Sequence, residues 1–197
     1  IEKEKYYNSF VAVNNKFQKI FQYNKFKLVP FGEFIPFKKF FGFIGLKQVV
    51  GTQGEFLKGK KKENFKYMGI NILPLICYEV IFPEILQRAD PKTNLIINIS
   101  EDAWFGNSIG PHHHFAKAIF RAVEHNTFLI RSANKGTSAI INNKGQVIKK
   151  LRNKEIGNIE LVVPLIEGST RNKNDLIFYI LLITYVSIFN FYRKKNV

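Results

Sequence analysis

Residues 70–79, INILPLICYE, form an apolar run that ends beside Cys77, the only cysteine of this 197-residue chain. A continuous apolar run of this kind is typical of a strand that is covered on both faces of a sheet. Residues 82–87, FPEILQ, follow directly and predict a short helix. At such a strand-to-helix turn, the partial positive charge of a helix N-terminus favours the thiolate, the form that attacks carbonyls. Cys77 is therefore predicted to be either a nucleophile or a small buried hydrophobic residue, the common fate of a single cysteine.

The chain is strongly basic, with 30 Lys and Arg against 15 Asp and Glu and a net charge of +15. Such a charge suits nucleic acid or an anionic membrane surface. However, the basic residues are scattered, and only residues 58–62, KGKKK, form a cluster, in a predicted loop. A solvated surface explains this pattern, so we expect no nucleic-acid partner. The length allows one sizeable core, and a single cysteine excludes an internal disulfide.

Strand and helix patterns alternate along the chain, which predicts a layered α/β architecture with hairpins at one edge. The predicted helix covers residues 113–125, where Ala116, Ile119, Phe120 and Val123 recur at helical spacing. The predicted strands are residues 6–13, 17–23, 67–76, 95–99, 128–132, 137–141, 147–148 and 159–163.

Residues 176–192 form a second apolar segment, which is followed by the basic residues 193–195. A helix of this length spans about 25 Å, which is enough to cross a membrane when flanking side chains reach the interfaces. The alternative is a buried C-terminal core helix, but such a helix normally keeps one polar face. The pattern therefore favours a transmembrane helix.

Four sequence blocks resemble those of apolipoprotein N-acyltransferases, which are membrane members of the nitrilase, or carbon–nitrogen hydrolase, superfamily. They follow one another in the order expected for that family, and four blocks in register are far more specific than any one alone. The blocks are residues 23–36 (YNKFKLVPFGEFIP), 76–84 (ICYEVIFPE), 102–111 (DAWFGNSIGP) with His114, Arg121, Ala122 and Glu124, and 130–138 (IRSANKGTS).

The resemblance implies a nitrilase-like αββα sandwich, an α/β fold, over residues 1–168. Residues 169–175 are then expected to be a linker, residues 176–192 a transmembrane helix and residues 193–197 a basic cytoplasmic tail.

The resemblance also implies a Glu-Lys-Cys triad in which Cys77 is the nucleophile and Lys25 is the lysine. Glu33 matches a further acidic residue that orients the lysine or assists proton transfer, and Tyr78 and Glu79 match positions beside the nucleophile. Each assignment has an alternative from the residues alone. Lys25 is otherwise a surface lysine, Glu33 a cap of loop amides, and Glu79 a cap of the following helix N-terminus.

The implied function is N-acylation of the amino-terminal diacylglyceryl-modified cysteine of bacterial lipoproteins. A phospholipid donates the acyl chain through a thioester on Cys77, and neither cofactor nor metal is implied. The implied location is the bacterial inner (cytoplasmic) membrane, with the catalytic domain facing the periplasm. One alternative is an amide-hydrolysing carbon–nitrogen hydrolase, although those usually show Cys-x-Asp where this chain has Cys77-Tyr78-Glu79. Another is a non-catalytic, membrane-anchored remnant.

The triad glutamate has no counterpart in this sequence, since Glu2 and Glu4 lack the expected Pro-rich context. Because the chain also begins with Ile1, we expect it to be the C-terminal fragment of a longer protein and to be inactive by itself. Glu101 is a smaller departure, since the family usually has asparagine there. Consecutive histidines cannot all face one ion, so His114 is expected to pack or hydrogen-bond near the Trp104 loop rather than bind a metal.

Overall fold

A six-stranded mixed sheet forms the centre of the molecule, with the strand order β3-β4-β5-β6-β7-β8. The computed structural model describes residues 6–34, 36, 56–60, 63–87, 89–151, 155–166 and 175–195. The three central strands are parallel to each other, and the outer three pair antiparallel. The strands are β3 (Phe65–Tyr67), β4 (Ile70–Ile76), β5 (Leu95–Glu101), β6 (Phe128–Asn134), β7 (Ala139–Ile141) and β8 (Val147–Lys150).

A separate antiparallel hairpin precedes this sheet and consists of β1 (Ser9–Val13) and β2 (Lys19–Asn24). Three α-helices are described, namely α1 (Pro83–Gln87), α2 (Gly110–Glu124) and α3 (Asp175–Lys195). Two short 3-10 turns, Cys77–Ile81 and Asp102–Phe105, directly follow β4 and β5. The α/β architecture predicted from the alternating patterns is therefore present.

The apolar run in β4 is buried on both faces of the sheet, as its sequence predicts. Leu73 and Leu75 belong to a core cluster that includes Ala118 and Ala122 of α2, whereas Ile72 belongs to a second cluster on the other face. Side chains alternate between faces along a strand, so an uninterrupted apolar run places apolar groups on both. Complete burial of each such side chain contributes about 1.5–3 kcal/mol.

Residues 155–166 cover the second face without forming a strand, which corrects the strand predicted over residues 159–163. Ile159, Val163 and Ile166 pack against the cluster on that face, so the apolar pattern marks burial rather than strand pairing. A shallow, largely apolar surface depression lies along this segment, and none of the predicted site residues lines it.

The strand predicted over residues 67–76 is two strands joined by a tight turn. Met68 and Gly69 both have positive φ, of 48° and 79°, which matches the turns that join two-residue hairpins. The prediction failed because Met68 is an apolar residue in a position that usually shows Gly, Asn or Asp.

Helix α3 contains a stretch, Leu176–Arg193, that is long and apolar enough to cross a membrane. None of this stretch is buried by the described parts of the chain. A buried core helix, the alternative raised by the sequence, therefore has no packing partner among the described residues. Residues 169–174 of the predicted linker (169–175) and the last two residues of the predicted tail (193–197) lie outside the described residues, whereas Asp175 and residues 193–195 belong to α3.

Candidate active site

Cys77 directly follows β4, at the edge of the sheet where the carboxyl ends of the parallel strands meet. It is partly exposed, and its φ of 50° lies in the left-handed region. For a residue with a side chain this conformation costs about 1–3 kcal/mol and persists only where the surroundings enforce it. The sulfur lies 3.9 Å from the carbonyl oxygen of Glu101, at the end of the neighbouring strand. The strand-to-turn position predicted from the sequence is present, although a 3-10 turn rather than an α-helix begins at Cys77.

Lys25 is buried, with 1% of its surface exposed, and forms an ion pair with Glu33. Its ammonium lies 2.8 Å from both carboxylate oxygens. Glu33 also accepts hydrogen bonds from the Asn8 side chain (2.9 Å) and the Val29 backbone N–H (2.8 Å). Lys25 is therefore not a surface lysine, and Glu33 both orients Lys25 and caps a loop amide.

Gly59 lies against the backbone of Lys25 and is hydrogen-bonded to it. Its N–H donates to the Lys25 carbonyl oxygen at 2.8 Å. A Cβ at this position would lie 2.0 Å from the Asn24 carbonyl oxygen, so only glycine fits. The neighbouring Lys58 ammonium lies 4.2 Å from the centre of the Phe26 ring, in a cation–π contact. The first part of the basic cluster thus lies against the segment that carries Lys25, while residues 61–62 lie outside the described residues.

Glu79 joins the segment of Lys25 to the turn of Cys77. Its fully buried carboxylate accepts hydrogen bonds from the Tyr23 hydroxyl (2.8 Å) and from the backbone N–H groups of Phe26 (2.8 Å), Lys27 (3.0 Å) and Ile76 (2.9 Å). Burial, together with the Glu79 charge, raises the pKa of Tyr23, so the phenol stays protonated and donates. Glu79 therefore caps the 3-10 turn that begins at Cys77. The alternative considered from the sequence was that Glu79 caps helix α1, and its hydrogen bonds go elsewhere.

Tyr78 is half-buried next to Cys77. Its ring packs edge-on against Phe82, with ring centres 5.8 Å apart, and lies tilted against the His114 ring at 6.0 Å. These contacts orient the Tyr78 ring between the turn and helix α2.

Glu101 lies at the end of β5 and has its carboxylate tied to local donors. Its two oxygens accept from the Ala103 N–H (3.0 Å) and from the Asn134 side-chain amide (2.7 Å). An asparagine at this position would offer one acceptor oxygen in place of the two that Glu101 uses. Glu101 thus connects the carboxyl ends of β5 and β6 beside Cys77.

A second buried polar cluster lies beneath Cys77 and was not predicted as part of the site. Asp102 contacts His114 Nδ1 (2.8 Å), Arg131 Nη2 (2.7 Å) and the Ser100 hydroxyl (2.7 Å). Arg131 also donates to the Asn98 side-chain oxygen. His114 is accordingly located beside the Trp104 loop, where the sequence placed it. The signal that reveals Asn98 and Arg131 is a polar residue inside a buried apolar strand, because such a group needs a partner.

The Asp102 carboxylate is ionised in this cluster. Burial of Asp102 would raise its pKa, but the hydrogen bond from His114 and the charge of Arg131 outweigh burial and lower it to about 2. His112 and His113 are exposed on α2. Within the described residues, no group of three His, Cys, Asp or Glu side chains could hold a metal ion.

Comparison with known proteins gives one family match and many curated relatives. The family model described as carbon-nitrogen hydrolase matches residues 2–168. Proteins named apolipoprotein N-acyltransferase are similar to this chain, including those of Brucella suis biovar 1 (39% identity over 161 residues) and Rhizobium leguminosarum bv. trifolii (41% over 160 residues). Each alignment covers 81% of this chain and 30% of the relative. The chain therefore spans about a third of the length of the curated relatives it matches.

Solved structures share the fold at low sequence identity. A mutant amidase from Nesterenkonia sp. AN1, with the acetamide moiety of fluoroacetamide added covalently at its active-site cysteine, matches with a TM-score of 0.52 at 19% identity. That match covers 73% of this chain and 50% of the amidase. The protein XC1258 from Xanthomonas campestris, a CN-hydrolase superfamily protein with an arsenic adduct in its active site, matches with a TM-score of 0.53 at 17% identity, over 75% of this chain and 53% of that one.

Proposed function

The chain belongs to the carbon-nitrogen hydrolase family, and on that premise we propose that it carries the nucleophile of a bacterial lipoprotein N-acyltransferase. The nitrilase-like fold and the resemblance to apolipoprotein N-acyltransferases, both predicted from the sequence, are confirmed by the matches. The observation that carries the proposal is the link through Glu79 between the turn of Cys77 and the segment that carries the buried Lys25–Glu33 pair.

Acyl transfer proceeds in two steps at Cys77. The thiolate attacks the ester carbonyl of a phospholipid, a C–S bond forms, and the C–O bond breaks to release a lysophospholipid, whose oxygen takes up a proton. The α-amine of a diacylglyceryl-modified lipoprotein cysteine then attacks the thioester. A C–N bond forms, the C–S bond breaks, and the amine loses a proton as the thiolate leaves.

Lys25 stabilises the negative charge that develops on the carbonyl oxygen in both steps. An ammonium fixed in a buried site needs little reorganisation during the reaction, which makes it effective against an oxyanion. Glu33 forms an ion pair with this ammonium and balances its charge. The proton transfers are assigned, as the resemblance implies, to a triad glutamate that has no counterpart in this sequence.

The proposed location is the bacterial inner membrane, with Leu176–Arg193 as a span and the catalytic domain in the periplasm. The exposed apolar side chains all around this helix support a lipid environment, since each would otherwise face water. Both substrates are lipids, and anchoring the site beside the bilayer brings it to them.

The proposal is tested on the full-length protein in phospholipid vesicles. We expect an acyl adduct on the tryptic peptide of residues 67–88 in the wild-type protein, and N-acylation when a diacylglyceryl-cysteine peptide is added. Cys77→Ala is expected to abolish both, whereas His113→Gln, at an exposed position of α2, leaves both intact. Mass spectrometry measures the adduct and the product. An acyl adduct that persists in Cys77→Ala contradicts the assignment, and hydrolysis of simple amides without acyl transfer favours the amidase alternative.

A further inference from the structure

The carbonyl oxygen of Cys77 is held by two buried side chains that the acyl-transfer steps do not use. His114 Nε2 from helix α2 lies 3.1 Å from it, and Asn98 Nδ2 from strand β5 lies 3.4 Å from it. The exposed fraction is 2% for His114 and 0% for Asn98. The nucleophile is therefore anchored through its backbone, while its side chain remains partly exposed.

This anchor acts on a residue whose backbone is strained. Cys77 has a φ of 50°, a conformation that a side chain disfavours and that persists only where neighbouring groups enforce it. Rotation toward an ordinary φ would move the Cys77 peptide group and break the bonds to His114 and Asn98. The two donors therefore favour the strained conformation over the relaxed one.

The orientation of His114 is itself determined by an acceptor on each side. Nδ1 lies 2.8 Å from Asp102 Oδ1, and Nε2 faces the Cys77 carbonyl. A carbonyl oxygen can only accept, so Nε2 is the donor in the bond to Cys77. Arg131 Nη2 lies 3.1 Å from the same Nδ1 and donates to the other Asp102 oxygen at 2.7 Å, which fixes the carboxylate that faces the His114 ring.

We propose that His114 is a positioning residue for the nucleophile: its Nε2–H bond, oriented by Asp102, holds the Cys77 carbonyl and thereby keeps the sulfur in its attacking position. The inference rests on the proposed function only in taking Cys77 as the nucleophile. His114 does not contact the reacting atoms, so its effect is exerted through the Cys77 backbone.

Two substitutions separate the two hydrogen bonds of His114. His114→Gln places an amide NH₂ near the position of Nε2, where it can donate to the Cys77 carbonyl, but it loses the donor toward Asp102. His114→Asn places its NH₂ near the position of Nδ1, where it can donate to Asp102, but it is too short to reach Cys77. Each variant thus keeps one bond and loses the other.

The readout is the rate at which iodoacetamide alkylates Cys77 in the full-length protein, followed by mass spectrometry of the tryptic peptide of residues 67–88. We expect His114→Asn to slow alkylation about tenfold and His114→Gln to stay within about threefold of wild type, as expected for one hydrogen bond to a strained group. Melting temperatures are expected to fall in both variants, because both lose one buried hydrogen bond. His113→Asn and His113→Gln, at the exposed neighbouring position, serve as matched controls that change neither quantity.

Equal alkylation rates in the two variants, or a slower rate in His114→Gln, would overturn the proposal. If His114 were merely structural, the variant that keeps the bond to Cys77 would not be alkylated faster than the variant that loses it. The result of this alkylation test does not depend on whether the proposed function is correct. Acyl transfer that survives Cys77→Ala removes the function assigned to the thiol, whereas the order of the Asn and Gln variants still reports how the Cys77 backbone is held.

Discussion

At the scale of single residues, the site depends on carboxylates that are buried with their donors. Burying an ionised carboxylate is costly unless hydrogen bonds or a counter-charge replace the lost water. Glu79 is compensated by one hydroxyl and three backbone N–H groups, and Glu33 by the Lys25 ammonium. Removing either partner leaves a buried group unsatisfied, so both pairs constrain where Lys25 and Cys77 can lie.

Lys25→Arg tests whether geometry as well as charge matters at this position. Arginine keeps the charge, but its wide planar group replaces a compact ammonium in a site that is 1% exposed. We expect thioester formation to fall on the order of a hundredfold, as is typical when a reacting geometry shifts by about 1 Å. The rate of acyl-adduct formation on Cys77, followed by mass spectrometry, measures this.

Lys27→Arg is the matched control for Lys25→Arg. Lys27 lies in the same segment, with about a third of its side chain exposed, and its ammonium pairs with Glu84 at 3.1 Å. Arginine fits such a surface pair, so activity is expected to stay near the wild-type level. If Lys25→Arg were equally active, the role of Lys25 would be limited to its ion pair with Glu33.

At the scale of elements, the cluster of Asp102, His114 and Arg131 connects the end of β5 with α2 and β6. Each of these side chains comes from a different segment and is almost fully buried. The hydrogen bonds of Asp102 to the other two therefore hold helix α2 against the carboxyl ends of the parallel strands. This is the point at which the anchor of Cys77 depends on the packing of the whole sheet.

The lowered pKa of Asp102 predicts how this connection responds to acid. The pKa is about 2 in the folded protein, against an ordinary value of 3.8, so ionised Asp102 stabilises the fold above about pH 4. This contribution, about 2 kcal/mol, is lost as the pH falls from about 4 to about 2. We expect the difference in unfolding free energy between wild type and Asp102→Asn to shrink over that range in urea titrations.

Asp90→Asn provides the comparison. The Lys92 backbone N–H and the Asn71 side chain lower the pKa of Asp90 as well, but Asp90 is only partly buried. Solvent screens such a group, so we expect a smaller dependence on pH than for Asp102. A difference between wild type and Asp102→Asn that stays constant from pH 7 to pH 2 would be inconsistent with an ionised Asp102 in the cluster.

At the scale of the whole molecule, a carbon-nitrogen hydrolase domain precedes an apolar helix in a basic chain. The net charge of +15 does not argue against a periplasmic location, because long domains are translocated largely regardless of their charge. The basic residues near the apolar segment 176–192 lie on both sides, Arg171 and Lys173 before it and residues 193–195 after it, so the local charge bias is weak. The proposed orientation therefore follows from the resemblance and needs its own measurement.

Labelling of single cysteines in spheroplasts measures that orientation. In a cysteine-free background of the full-length protein, Lys60→Cys places a thiol on the exposed surface of the catalytic domain, and Asn196→Cys places one beyond the helix. A membrane-impermeant maleimide is expected to react with the first and to spare the second until the cells are lysed. The reverse pattern would place the domain in the cytoplasm and would remove the proposed lipoprotein substrate.

The sequence alone determined the elements whose signal is local. The apolar runs predicted the buried strands around Cys77 and the long C-terminal helix, because burial on both faces and helix length are written into consecutive residues. Local patterns were less informative where the chain covers a sheet face without pairing, as in residues 155–166, and where Met68 occupies a turn position that usually shows glycine.

The tertiary structure alone decided which polar groups meet. Asn98 and Arg131 are distant in the sequence, yet they are direct partners in the register of the parallel strands β5 and β6. In the same way, Lys25 becomes a buried cation only because Glu33 and Glu79 close around its segment. Such contacts depend on strand register and on packing between distant segments, and no periodicity along the chain encodes either of these, which is why the anchor beneath Cys77 emerges only from the folded molecule.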